Sequence, residues 1–366
     1  MPDWTRLQEI SRLFLRLGFT AFGGPVAHIA MMHDEIVKQR QWITEQEFLD
    51  LLGTTNLIPG PNSTEMAIHL SYKRAGWWGL ILGGICFTAP AVGLILICAW
   101  AYENFGATPQ GEWLLYGVKP VAIAIIAQAL WKLGKKAIKG KFGVGLAVFN
   151  VVLSLVGLHE LTLLLLSGVM GLLKKGGVQL FQKDKNLAIA PIPLMFPLNL
   201  ATVATTATSI TLSGIFLTFF KVGAVMYGSG YVLLAFLRAD LVERLGWLTD
   251  QQLLDAIAIG QITPGPLSST ATFIGYLLGG FGGAGMATLG MFLPSFLFIA
   301  ALNPILPKLN QSKWFRAFLD GVNVGALSLM TVVTVFLAQS SLIDPVTIGV
   351  AIASLFLLIQ YKVNSL

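Results

Sequence analysis

An all-α polytopic membrane protein built from two homologous halves is the fold class this sequence predicts, and three observations carry the prediction. The chain is 55% apolar and only 11% charged over 366 residues, with a mean hydropathy of +0.74, far from the roughly 25% charged content of a soluble domain. Apolar runs at Trp77 to Tyr102, Ala284 to Leu302 and Val322 to Ala338 each approach the about 20 residues that a hydrocarbon core requires. Finally, Ile58-Pro59-Gly60-Pro61-Asn62-Ser63 returns as Thr263-Pro264-Gly265-Pro266-Leu267-Ser268, at a spacing of 205 residues that also carries Gly18 onto Gly223 and Trp42 onto Trp247. Duplication accounts for the repeat, with one half over 1–175, a connector over 176–213 and the second half over 214–366.

The elements follow in chain order. A first apolar run starts near Leu13 and breaks at Phe22-Gly23-Gly24-Pro25; its copy breaks at Tyr227-Gly228-Ser229-Gly230. Arg16 interrupts that run and no small-residue cleavage pattern follows, so the N-terminus does not read as a cleavable signal. Thr44 and Glu47 have capping-box spacing, which predicts a helix from Glu45 to about Leu57, where Pro59 disfavours continuation. Thr249 repeats the arrangement. Pro61 and Pro266 suit the first turn of the next helix, and Gly60 and Gly265 allow the tight approach between. Each half therefore carries a Pro-Gly-Pro helical hairpin, which either spans the bilayer or only enters it.

Next come the run Trp77 to Tyr102, a segment to Tyr116 with Glu103 and Glu112 but no lysine or arginine, and the run Val118 to Leu133. Lys132, Lys135, Lys136, Lys139 and Lys141 form one basic cluster, and Lys174, Lys175, Lys183 and Lys185 form another. Both read as cytoplasmic, so the net charge of +6 sets orientation and is no argument for an anionic partner. Between the clusters, Phe142 to Leu158 and Leu161 to Leu173, broken at His159-Glu160, form a hairpin that leaves the cytoplasm and returns. Lys308, Lys313 and Arg316 mark a further inside loop. Gly79 to Gly83 and Gly275 to Gly279 have the small-xxx-small spacing of close helix packing. Cys86 and Cys98 share one apolar run and read as buried, reduced packing residues.

From the first run to its copy near Phe216 the number of crossings is odd, because the Pro-Gly-Pro hairpin adds an even number whether or not it spans. The second half is then inverted relative to the first, provided that the weakly apolar connector from Asn186 to Gly214 holds no further crossing. Inverted repeats place a transporter's site at their interface near mid-bilayer, where broken helices present their ends. The amides and side chains at Asn62, Ser63 and Thr64, and at Leu267, Ser268 and Ser269, outline an anion site. Gly23, Gly24 and Pro25, with Gly228 and Ser229 in the copy, read as a second break facing the first.

Arg16 and Lys221 correspond at the same spacing, and a cation inside an apolar run is a candidate ligand or gate, with a headgroup anchor as the alternative reading. Asp50 and Asp255 also correspond; as carboxylates they carry a coupled proton, pair with the cations, or face water. Glu65 follows the first break, but its counterpart is Thr270, so symmetric binding does not call on it. His28, His33, His69 and His159 lack metal-ligand spacing and read as packing or interfacial residues. No paired acid and base, nucleophile or Walker loop is present, so neither an enzyme, an ATP-driven pump nor a cofactor is expected. A non-transporting scaffold would not require polar breaks repeated inside a bilayer.

These residues carry a resemblance. In Phe22-Gly23-Gly24-Pro25, Ala27-His28, Trp42, Phe48-Leu49, Pro59-Gly60-Pro61-Asn62-Ser63 and Phe87 to Pro90, the first half resembles the chromate ion transporter family in its long, two-domain form. The second half does so in Val222-Gly223, Gly228, Gly230-Tyr231, Gly246-Trp247, Ala258-Ile259-Gly260-Gln261, Pro264-Gly265-Pro266, Phe273-Ile274-Gly275-Tyr276 and Phe292-Leu293-Pro294-Ser295. The resemblance implies a multi-pass carrier of the bacterial inner membrane that exports chromate and confers resistance, with sulfate, also a tetrahedral dianion, as competitor. A proton- or sodium-coupled importer of sulfate or another oxyanion is the alternative. The expected partners are the oxyanion and the lipid bilayer, with no nucleic acid; a homodimer stays open.

Overall fold

The computed structural model describes residues 3–22, 24–106, 108–174, 210–227, 230–302 and 312–360. Gly23, Gly228, Ser229, Lys175, Lys183, Lys185, Lys308 and nearly all of the connector lie outside the described residues. Among the described residues there are helices and no strand. The first half holds α1 (Trp4–Thr20), α2 (Gly24–His33) running into a π-helical turn (Asp34–Gln39), α3 (Glu45–Thr55), α4 (Asn62–Phe105), α5 (Pro109–Ala137), α6 (Gly140–Leu155) and α7 (Glu160–Lys174). The second holds α8 (Leu212–Val225), a 3-10 turn (Gly230–Val232) leading into α9 (Leu233–Leu237), a π-helical turn (Arg238–Arg244), α10 (Asp250–Ile262), a 3-10 turn (Leu267–Ser269), α11 (Thr270–Leu302), α12 (Lys313–Ser341) and α13 (Pro345–Gln360).

Both repeated capping boxes form. The Thr44 hydroxyl accepts from the Glu47 amide while the Glu47 carboxylate accepts from the Thr44 amide, and Thr249 and Gln252 do the same. Pro61 and Pro266 stand at the cap position, one residue ahead of the expected first turn, and the second copy starts with a 3-10 turn. Thr249→Ala is expected to cost about 1 kcal/mol of stability, a typical N-cap loss, read as a lowered unfolding midpoint in detergent; an unchanged midpoint would show that tertiary packing alone holds α10.

The two long helices that follow the Pro-Gly-Pro tips are not straight. Within α4 the backbone leaves helical angles at Ala75 (φ −141°, ψ 24°) and Gly76 (φ 61°, ψ −146°). Beyond this point Gly83 lies against Ser71 and Gly84 against Ile68, although residues 68 and 84 of a straight helix would be about 24 Å apart. The chain therefore reverses, and 62–74 and 77–105 are antiparallel arms. In α11 the same happens at Gly279 (φ −160°, ψ 31°) and Gly280 (φ 57°, ψ −148°), with the Thr272 and Thr288 hydroxyls 2.8 Å apart across the arms. Gly76 and Gly280 occupy the left-handed region, which a side chain disfavours. Gly79, Gly83 and Gly275 serve close packing within these hairpins, while Gly279 forms part of a reversal.

The arm 62–74 also folds back along α3. Lys73 pairs with Glu47 and the Arg74 guanidinium lies 5.0 Å from the Trp42 ring centre, so the tip of this inner hairpin is Pro59-Gly60-Pro61. Every residue from Leu57 to Ser71 is buried. Non-helical backbone at such a depth is tolerated only where protein covers it.

Around this centre, α5 and α12 have 29 residues each, and α6 and α13 have 16 each. α5 packs on α13 as α12 packs on α6. The lysine-bounded hairpin forms as α6 and α7, turning at Gly157 (φ 88°), and α7 meets α12 where Gly168 and Gly171 face Phe318 and Gly321. Among the described residues, four helices are long and apolar enough to cross a membrane, and large apolar side chains such as Trp78, Trp113, Phe281 and Val335 stand exposed along their flanks. That combination is a lipid-facing surface, and the chain is an integral, multi-pass membrane protein.

Candidate anion site at the crossed hairpin tips

The first broken helix ends at Thr20 and resumes at Gly24, whose φ is 77°; its copy ends at Val225 and resumes at Gly230. These breaks meet. Gly24 lies against the Tyr231 phenol, and Gly230 lies against Pro25 and Leu267.

Each hairpin tip then docks on the opposite half. The Gly60 amide donates to the Met226 carbonyl at 2.7 Å, and the Gly265 amide donates to the Ala21 carbonyl at 2.9 Å. Met226 stands 205 residues after Ala21, as Gly265 does after Gly60, so the two bonds are equivalents. A Cβ on Gly60 would overlap Glu65 and Ser295, and one on Gly265 would overlap Ala91, where Pro90 and Pro294 show that Ala91 and Ser295 also correspond. Gly60 has φ 146° and Gly265 φ 97°. Glycine at these two positions is thus required twice over, by backbone angle and by space.

The helix ends that leave the tips carry buried polar groups. Asn62, Ser63, Thr64 and Glu65 are at most 7% exposed, and Ser268, Ser269 and Thr270 at most 1%. Thr64 Oγ1, Glu65 Oε2, Ser268 Oγ, Ser269 Oγ and Thr270 Oγ1 have no hydrogen-bond partner. Buried hydroxyls almost always find partners in folded proteins, so such a concentration of orphans at two helix starts asks for an explanation. The Asn62 amide nitrogen donates to Asn56 Oδ1 at 2.8 Å, and Pro59, Pro61, Pro264 and Pro266 fix the backbone on either side of the glycines.

Other predicted residues lie elsewhere. Arg16 is half exposed and pairs with Glu35, while Lys221 is partly buried and pairs with Asp240 at 2.8 Å, which Arg244 also reaches at 2.9 Å. Glu35 and Asp240 are themselves equivalents. Both pairs join the first arm of a broken helix to the π-helical turn after its second arm. A second pair repeats alongside, His33 with Glu45 at 2.6 Å and Arg238 with Asp250 at 2.8 Å. Asp50 is exposed and accepts from Gln46. Asp255 is buried, with Lys119 Nζ 2.7 Å from one oxygen and the Tyr102 hydroxyl donating to the other at 2.8 Å. His28 is buried on the Ala21 carbonyl at 3.0 Å, and the described residues hold no cluster of groups suited to a metal. Cys86 is buried, Cys98 partly so, and both are free.

Sequence reasoning passed over Lys119, although a lysine inside the run Val118 to Leu133 is the signal that singled out Arg16 and Lys221. It set Glu65 aside on symmetry. Ser295 and Ala91 carried no signal, because their roles arise from what lands on them.

The chain as a whole has matches among known proteins. The family model described as "Chromate transporter" matches residues 8–172 and 213–366. A protein of Cupriavidus metallidurans called "Chromate transport protein" is 34% identical over 99% of this chain and 90% of its own length. A "Probable chromate transport protein" of Synechococcus elongatus is 34% identical over 95% of this chain and 89% of its own, and a "Chromate transport protein" of Pseudomonas aeruginosa 32% identical over 96% and 86%. No solved structure matches the chain.

Proposed function

This chain belongs to the chromate transporter family, whose members are transporters and not enzymes, and from that premise we propose that it is a secondary carrier that exports chromate across the bacterial inner membrane and so confers chromate resistance. The single observation that carries the site is the set of orphaned hydroxyls at Thr64, Ser268, Ser269 and Thr270, at the helix starts that follow the two tips. A tetrahedral dianion takes hydrogen bonds from several directions at once, which hydroxyls and helix N-termini supply without a cation. Arg16 and Lys221 act in this reading as braces on the broken helices.

We further read the halves as inverted repeats, 1–175 and 214–366. Three features support this. The tip contacts are reciprocal, as a two-fold relation between the halves requires. The ion pairs of the broken helices recur at one spacing. The arms 77–105 and 281–302 pack on each other, with Gly84 against Phe296 and with Leu80 and Ile299 in one apolar cluster, which suits an antiparallel course. If these arms cross the bilayer, the two-fold axis lies in its plane, and exchanging the conformations of the halves gives alternating access.

Export needs no nucleotide. Moving one charge through 100 mV is worth about 2.3 kcal/mol, so expelling a dianion from a cell negative inside gains roughly 4.6 kcal/mol. The test is chromate flux in proteoliposomes under an imposed voltage. Flux driven by voltage alone supports the exporter; flux that needs a proton or sodium gradient supports an importer instead. In Ser268→Ala/Ser269→Ala the KM for chromate should rise tenfold or more, because each hydrogen bond to a charged group contributes about 1.5–3 kcal/mol. Wild-type kinetics in that variant would remove the second tip from the site.

A further inference from the structure

Glu65 is the one ionisable group at the two tips. It stands in the first turn of the arm 62–74, fully buried, where the second half has Thr270. One carboxyl oxygen meets the Ser295 hydroxyl at 3.5 Å, the outer limit of a hydrogen bond, and the other has no partner. The groups facing it from the neighbouring elements are neutral or engaged. Tyr227, on the opposite broken helix, donates to the Leu57 carbonyl at 3.2 Å. His28, on α2, is held by the Ala21 carbonyl, and His69 lies one turn further along the arm of Glu65 itself. Ser295 is the facing group from the arm 281–302. The cations of the surrounding helices are committed elsewhere, Arg16 to Glu35, Lys73 to Glu47, Arg74 to Glu9 and Lys221 to Asp240.

We propose that Glu65 is the proton-carrying member of the anion site, protonated whenever a dianion is bound at the tips, so that each dianion crosses with one proton. The inference rests on the oxyanion reading above. A carboxylate and a dianion cannot share one water-poor region without a cation between them, because like charges there repel strongly. Protonated, Glu65 carries no charge and offers a hydroxyl donor, which adds to the hydroxyls of Thr64, Ser268 and Ser269. Proton and anion therefore bind cooperatively, each raising the affinity for the other by the same factor. Thr270 cannot ionise, so the site carries one such proton and the loaded carrier moves one net negative charge. Voltage still drives that charge outward, while an inward proton gradient opposes the same step.

The experiment uses the full chain in proteoliposomes, with chromate as the probe at about pH 7.5 to 9.5, where it stays a dianion. In the wild type the KM for chromate should rise up to tenfold per pH unit, and the reversal potential should move with an imposed proton gradient. Glu65→Gln, neutral at every pH, should lose both dependences in whatever chromate flux it supports. Ser295→Ala keeps the carboxyl and should keep the coupling, with its pH midpoint displaced. A wild-type reversal potential that ignores the proton gradient, or a Glu65→Gln protein with the wild-type pH slope, overturns the proposal; should that variant fail to fold, the wild-type reversal potential decides alone. Absence of chromate flux in the wild type would instead defeat the oxyanion reading itself, so the two failures are distinguishable.

Discussion

Gly60→Ala should reduce chromate flux in proteoliposomes at least tenfold while the protein still inserts and stays monodisperse in detergent. Two penalties coincide there. Gly60 has φ 146°, a region that costs a residue with a Cβ about 1–3 kcal/mol. The added carbon would also overlap the Glu65 carboxyl and the Ser295 hydroxyl. Relief requires the tip to withdraw, and the bond from the Gly60 amide to the Met226 carbonyl goes with it. Gly265→Ala should behave alike, against Ala91 and the Ala21 carbonyl. Gly230→Ala is the control, because a Cβ there meets Pro25 and Leu267 at ordinary contact distance and the backbone φ is unexceptional. Equal losses in all three variants would show that flux responds to general disturbance of the centre and not to the seating of the tips.

Lys119→Met should destabilise the protein by about 3–5 kcal/mol, the usual result of removing one partner from a buried ion pair. Asp255 is 3% exposed and Lys119 9%, with 2.7 Å between their charged atoms. Without the lysine, the Tyr102 hydroxyl is the contact that remains for the carboxylate. The double variant Lys119→Met/Asp255→Leu should recover most of the loss, since apolar replacement of a whole buried pair is often neutral. Thermal unfolding in detergent reads both. Additive losses in the double variant would mean that the two side chains act independently, and that Asp255 has a role beyond structure.

Much of the fold was legible because its signals are local. The capping boxes at Thr44 and Thr249 need four residues each, and a proline ends a helix whatever surrounds it. The spans needed only length and apolarity. The reversals at Ala75-Gly76 and Gly279-Gly280 were not legible, since only antiparallel contact between the arms reveals the turn. Gly79-Gly83 has the right spacing for close packing; that its partner is Ser71 of the same hairpin is a tertiary fact.

For the site, sequence comparison found both tips, both breaks and the hydroxyls beside them. It could not assign their partners. Arg16 and Lys221 looked like ligands because nothing nearby in sequence neutralises them; Glu35 and Asp240, nineteen residues on in each half, are brought back by the second arm of each broken helix and its π-helical turn. Glu65 looked dispensable because symmetry was the only guide, whereas its burial at an interface of the two halves is what makes it conspicuous.

The sequence by itself determined the return of its motifs after 205 residues, the bilayer as solvent, and the places where helices must stop, because proline, glycine and apolar length act through covalent geometry and solvation of the chain on its own. Only the tertiary structure decided which break meets which tip and which charges cancel, with Glu65 left in the centre without a cation. Those outcomes depend on surfaces about two hundred residues apart in the chain, whose contacts form only when the two halves dock.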